Sequence, residues 1–370
     1  MADPARPTLT KRVRHVTLKE RIIARIRQDG PLSLADYMTD CLLHPTLGYY
    51  TTRNPFGVAG DFITAPEISQ MFGELIGLSL AQSWLDQGSP ARLTLAEIGP
   101  GRGTLMRDML RVSHNIPGFH AAADIMLIEA SPKMRDLQAD TLANHAPRWI
   151  DSVADLPDQP LYLVANEFFD ALPIRQYLRV GSGWSERCIG AQGKDLSFGQ
   201  ATPSHLNALT HRIQDTKDND LVEVCPTAPA IVTEISRRIA SCGGAALIVD
   251  YGDWRSLGDT LQAVRNHEPT DPLADPGQAD LTAHVDFEAL AIAARAAGCA
   301  HTKLTPQGVF LERLDITTRA QSLAKNLTGA DLNTLISAHR RLTHPAEMGN
   351  LFKTLGLYPA NATPPPGLAP

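Results

Sequence analysis

The strongest constraint on this chain is the segment LTLAEIGPGRGTL at residues 93–105, where an apolar run ends in an acid and turns through three alternate glycines. The pattern predicts a buried strand, a tight loop and a helix opening at Thr104. Gly99, Gly101 and Gly103 permit backbone conformations and close ligand approaches that a Cβ would block, and the helix N-terminus faces the loop. The spacing is E-x-G-x-G-x-G. A dinucleotide fingerprint would read G-x-G-x-x-G and a phosphate loop would carry G-K-[ST], so neither a nicotinamide nor a nucleoside triphosphate is indicated. The form is the one used for S-adenosylmethionine.

That ligand carries an ammonium and a sulfonium where dinucleotides carry a pyrophosphate, so a carboxylate at Glu97, beside the loop, suits its charge. The next apolar run, residues 124–128, ends in Glu129. An acid at that second strand end can accept from both ribose hydroxyls, as in related nucleotide folds.

At 370 residues the chain has ample length to bury a core. A formal net charge of −6 gives no footprint for nucleic acid, and no polybasic cluster adjoins an apolar anchor. A protein or small-molecule substrate is favoured, with no nucleic-acid partner and no membrane insertion. Five scattered cysteines without a C-x-x-C pair argue against a disulfide framework or structural zinc, and no metal is expected. Arg6, Lys11, Arg12 and Arg14 have the look of an organellar presequence. However, Thr17 and Glu20 form a capping box that opens an amphipathic helix only a few residues later. A cytoplasmic bacterial protein is expected, or a mitochondrial matrix protein if the source is eukaryotic.

Along the chain, residues 1–90 read as a helical and loop-rich segment that closes over the cofactor site, and 91–180 as the first half of an α/β core. Strand patterns at 93–97, 125–129, 149–152 and 161–166 alternate with helical ones, which implies a parallel, doubly wound sheet. Residues 181–244 read as an inserted β/helical subdomain. Residues 245–358 complete the core, with 253–283 as a long loop, and the proline-rich stretch 359–370 is expected to be disordered.

After the fourth core strand the segment NEFFDALP, residues 166–173, places Asn166, Glu167 and Asp170 at the carboxyl end of the sheet, where open α/β folds build their ligand crevice. Methyl transfer from a sulfonium is a direct displacement that needs an aligned acceptor lone pair, without metal or covalent intermediate. Paired carboxylates suit a guanidinium acceptor, which is planar and always charged. Asp170 also suits a turn cap, and Asn166 the amino-acid end of the cofactor. His284, between Asp280 and Asp286, reads as structural more readily than as a base or metal ligand.

Five segments together, GDFITAPEISQ (60–70), EIGPGRG (97–103), NEFFDALP (166–173), DLTAHVDF (280–287) and MGNLFK (348–353), resemble the MidA family, which includes a mitochondrial complex I assembly factor. Ala65 stands where that family often has serine. The resemblance runs from about residue 32 to 357. It implies a class I S-adenosylmethionine-dependent methyltransferase fold, Rossmann-like, with an N-terminal helical segment and an inserted β/helical subdomain. It further implies a protein arginine methyltransferase acting on the 49-kDa-type subunit of respiratory complex I, or on its counterpart in the bacterial NADH dehydrogenase. Carried over residue by residue, Glu97, Gly99, Gly101, Gly103 and Glu129 hold the cofactor, and Asn166 and Glu167 line the transfer site. In that family Asp61, Thr64, Pro66 and Glu67 form a polar loop against the cofactor, while the residues by themselves read equally well as a plain turn. Two other functions fit the residues: a small-molecule methyltransferase, and an assembly protein that binds the cofactor without turnover.

Overall fold

Strands form where apolar residues run without interruption, because a sheet covered on both faces has no solvent side to encode. The computed structural model describes residues 16–52 and 64–370. Its main sheet contains β1 (Leu93–Ile98), β2 (Ala123–Ile128), β3 (Arg148–Ile150), β4 (Leu161–Asn166), β5 (Gly244–Asp253), β6 (Cys299–His301) and β7 (Phe352–Pro359). They lie in the order β3-β2-β1-β4-β5-β7-β6, and short pairings at Val285–Asp286 and Thr305–Pro306 bring the sheet to nine strands. Neighbours from β3 through β5 pair in parallel, whereas β7 runs antiparallel to both β5 and β6.

Successive side chains of each strand enter opposite layers. Leu93, Leu95, Tyr162, Val164, Leu247 and Val249 pack with the helices Gln70–Asp86 and Thr104–Ser113. Ala96, Ile98, Leu163, Ala165, Ala246 and Ile248 pack on the other face with Ala228–Cys242 and Phe287–Ala296. The architecture is Rossmann-like. Its strand order reverses between β1 and β4, so the loops leaving their carboxyl ends diverge and open a crevice.

A second sheet joins Arg175–Val180, Gly183–Gln192, Asp195–Gln200 and Leu221–Val224 to the short N-terminal strand Leu32–Ser33, with Leu32 opposite Ile189. The capping box at Thr17 and Glu20 is formed, and the helix it opens, Leu18–Asp29, buries Leu18, Ile22, Ile23 and Ile26. No helix of the described residues is long and apolar enough to cross a membrane.

Three sequence expectations need correction. The inserted sheet begins at Arg175 rather than at residue 181, and the helix Ala228–Cys242, assigned to the insertion, buries Val232, Ile235 and Ile239 against the main sheet. The supposed loop 253–283 carries a three-stranded sheet, Gln262–Arg265, Glu268–Thr270 and Asp280–Thr282. Its hairpin turns at Asn266 and His267, both with positive φ, a geometry usually announced by glycine. The stretch 359–370 is packed, not disordered. Leu368 joins the core, Lys303 N–H donates to Ala369 O at 2.8 Å, and Ser79 Oγ donates to Pro366 O at 2.9 Å. Prolines have little conformational freedom to lose, so a few such contacts suffice to order the segment.

Candidate functional site

The reversal between β1 and β4 opens a cavity of ≈ 1050 Å³. Ligand pockets commonly measure about 300 to 1,000 Å³, so this one has room for a cofactor together with an acceptor side chain.

One wall is the glycine loop. Gly99 has φ +63°, and a Cβ there would lie 3.2 Å from the Phe168 ring; Gly101 has φ +51°. A side chain at either position would meet both backbone strain and the space beside the loop. Gly103 caps the helix Thr104–Ser113 and lies off the cavity wall. Glu97 is buried, is supported by the Met106 backbone N–H, and has its carboxyl pushed up to about 8 by desolvation. Its Oε2 has no hydrogen-bond partner among the described residues. A buried acceptor in that state is costly until a donor reaches it.

Glu129 lies further along the same wall. Its Oε1 accepts from Ser131 N–H at 2.8 Å and its Oε2 from Gln138 Nε2 at 3.1 Å. The same Gln138 nitrogen donates to Gly101 O at 2.8 Å, and Gln138 Oε1 accepts from Trp149 Nε1 at 2.8 Å. One fully buried amide therefore ties the glycine loop to the second acid. Thr64, Pro66 and Glu67 face the loop from the N-terminal segment, and Glu67 Oε1 accepts from Thr104 Oγ1 at 2.6 Å. Asp61 lies outside the described residues.

The rest of the cavity is built around Asn166, Glu167 and Asp170, which all line it. Glu167 has φ +51°, a left-handed backbone that a non-glycine residue adopts at a cost, and such strain often marks a functional site. Its N–H donates to Val249 O at 2.9 Å, and its Oε1 accepts from Asn166 Nδ2 at 3.0 Å and from Ala65 N–H at 3.3 Å. Asp250, at the end of β5, is fully buried and holds this turn from behind. Its Oδ2 accepts from the N–H groups of Phe169 and Asp170 at 3.0 and 3.2 Å, and its Oδ1 from Tyr251 N–H at 3.0 Å.

Burial, followed by the neighbouring Asp170 charge, raises Glu167 to about 7. Burial raises Asp170 to about 6, opposed by a hydrogen bond from Tyr251. Asp250 is pushed well above the usual carboxylate range by burial, then by Asp170 and Glu167. Three acids this close titrate as a group. Asp170 Oδ1 and Asn166 Oδ1 are buried and without a partner among the described residues. The cavity thus presents unsatisfied acceptors in both its halves, and suits a ligand rich in donors and positive charge.

The structure brings Glu97, Gly99, Gly101, Glu129, Thr64, Pro66, Asn166, Glu167 and Asp170 around one cavity. Sequence reading missed Gln138, which sits mid-helix with no motif, and the pairing of Tyr50 with Asp280, which are 230 residues apart in the chain. His284 lines the cavity edge-on to Tyr251, with ring centroids 5.5 Å apart, and burial lowers its pKa. Asp286, beside it, caps the helix Phe287–Ala296.

The chain as a whole is similar to known proteins in sequence and in fold. The family model described as "Putative S-adenosyl-L-methionine-dependent methyltransferase" matches residues 75–305. The chain is 36% identical over 379 residues to protein arginine methyltransferase NDUFAF7, mitochondrial, of Xenopus laevis, covering 94% of this chain and 86% of that one. The Homo sapiens protein of the same name is 36% identical over 386 residues, covering 96% and 85%. Among solved structures, a COG1565 superfamily member from Burkholderia thailandensis bound to S-adenosyl-homocysteine superposes with a TM-score of 0.79 at 27% identity, over 92% of this chain and 91% of that one. A native crystal structure of a COG1565 protein from the same organism gives 0.76 at 27% identity, over 93% and 94%.

Proposed function

This chain belongs to the S-adenosyl-L-methionine-dependent methyltransferases, with their Rossmann-like class I fold, and from that membership we propose that it methylates an arginine side chain of a protein. The proposed target is the 49-kDa-type subunit of respiratory complex I, in the bacterial cytoplasm or the mitochondrial matrix. The target follows from the MidA resemblance. The arginine reading is carried by one observation: the strained, half-buried Glu167 and the buried, half-satisfied Asp170 stand together on the cavity wall.

In this reading Glu97 offers its open Oε2 to the cofactor's ammonium, and Glu129 accepts from the ribose hydroxyls. Gly99 and Gly101 let the backbone come close, Gly103 starts the helix behind them, and Thr64 and Pro66, with Asp61, flank the bound molecule. The cofactor supplies a methyl group activated on sulfur. Everything else is positioning by the chain, which must hold an acceptor nitrogen in line, about 3 to 3.5 Å from the carbon it attacks.

Asn166, Glu167 and Asp170 orient the guanidinium and keep its charge. Glu167, poised near neutrality, takes the proton that the methylated nitrogen gives up. Lysine fits less well. An ammonium must lose its proton before it can attack, and flanking carboxylates favour the charged, unreactive form, whereas a guanidinium can release its proton as the new bond forms.

The test is incubation of the purified protein with methyl-labelled cofactor and the isolated subunit. Label on arginine, lost when the labelled position is changed Arg→Lys, is the expected result. Label on lysine, or only on a small metabolite, would overturn the proposal.

A further inference from the structure

The half of the cavity away from the glycine loop contains a third acid beside Glu167 and Asp170. Asp280 is buried, lines the cavity and accepts from Tyr50 Oη at 2.8 Å through its Oδ1. It belongs to the strand Asp280–Thr282, and the end of that strand is fastened to the acceptor loop, because Ala283 N–H donates to Asp170 O at 3.0 Å. Asp280 and Asp170 each have their own tyrosine: Tyr50 on the first, and Tyr251 on the second. Tyr50, Tyr251 and both acids line the same cavity.

Aromatic rings line that space. Tyr251 meets Phe352 edge-on with centroids 5.4 Å apart and meets His284 on another side, and all three line the cavity. The unpartnered, buried Oδ1 of Asp170 calls for a donor within it. A planar cation with donors on two edges matches two carboxylates set among aromatic faces.

We propose that Asp280, held by Tyr50, is a third carboxylate of the acceptor slot, beside Glu167 and Asp170, and fixes its specificity for a guanidinium. The proposal rests on the arginine reading above and adds the residue that discriminates charge at a distance from the transferring nitrogen. Asp280 makes binding contacts and takes no part in proton transfer.

The full chain, saturated with S-adenosylhomocysteine, is titrated with acetyl-arginine amide and with its neutral isostere, acetyl-citrulline amide, using ligand-observed NMR. Wild type should prefer the arginine compound by about ten- to hundredfold, the range of one or two charge-assisted hydrogen bonds. Asp280→Asn should lose most of that preference, and Tyr50→Phe part of it, while S-adenosylhomocysteine affinity measured by calorimetry stays within a few fold. If Asp280→Asn does not fold, Tyr50→Phe carries the test through its partial loss. A preference that persists in the variants, or is absent from wild type, overturns the proposal. Should the preference exist and depend on Asp280 while the methyl label goes to another residue type, the cation slot stands and the arginine-transfer reading falls.

Discussion

Glu167 and Ala65 are joined at the cavity wall: the carboxylate Oε1 after β4 accepts the backbone N–H of Ala65 at 3.3 Å. The sheet and the N-terminal segment therefore meet at the acid proposed to serve the acceptor. That acid is also fixed by Asn166 Nδ2 and by a positive φ, so its position is over-determined by its surroundings.

Glu167→Gln preserves shape and keeps an oxygen for Ala65 and Asn166 while removing the charge. Cofactor affinity should remain within a few fold, and turnover should fall by roughly two orders of magnitude, as for an interaction made mainly in the transition state. Single-turnover kinetics alongside calorimetry separates the two quantities. If affinity collapsed with the rate, Glu167 would be a cofactor residue.

The pH profile of wild-type kcat/KM should rise through about 7, because the ionised Glu167 is the form that accepts a proton and kcat/KM reports the free enzyme. In Glu167→Gln the residual rate should lose that limb. A wild-type profile flat between pH 6 and 8, roughly a unit either side of the expected midpoint, would exclude the role.

Cofactor binding should fail in Gly101→Val, since a β-branched residue is strained at φ +51° and projects beside the loop. Glu129→Ala and Gln138→Ala should each weaken S-adenosylhomocysteine binding by about 1 to 3 kcal/mol, the first through lost hydrogen bonds and the second by releasing both Glu129 and the Gly101 carbonyl. Calorimetry reads all three. Unchanged affinity in Gln138→Ala would reduce that amide to ordinary packing.

Stability should depend on pH through Glu97. Its folded pKa, about 8, lies above its unfolded value, so the folded form binds the proton more tightly. The stabilisation is complete below the unfolded pKa, near 4, and is lost as pH rises toward 8. Glu97→Gln should therefore raise Tm of the cofactor-free protein at pH 8 by several degrees, change it little at pH 5, and abolish cofactor binding. Scanning calorimetry at the two pH values decides, and a variant less stable at pH 8 than wild type would contradict the assignment.

The Rossmann-like core was legible because it is built from local signals. Leu93–Ile98 and Leu161–Asn166 are mainly apolar runs buried along their whole length, and Glu97, Glu129 and Glu167 stand at or just beyond the carboxyl ends of such runs. Where position depends on distant partners, the sequence was silent. Tyr50 and Asp280 are 230 residues apart and meet through the fold. Gln138 is an ordinary helical glutamine until Trp149 and Gly101 close around it. The hairpin at Asn266 and His267 lacked the glycine that would have marked it, and the tail 359–370 was misread because proline content signals disorder only where no apolar surface waits to receive it.

The antiparallel β7 lies between β5 and β6, although both precede it in the chain. During synthesis on a ribosome β5 is made about a hundred residues before β7, and throughout that interval it presents an apolar edge with unpaired backbone groups. The nascent chain must be kept from pairing with its neighbours while it waits, so yield in a cell should respond to elongation rate and chaperone supply more steeply than the stability of the finished fold would suggest.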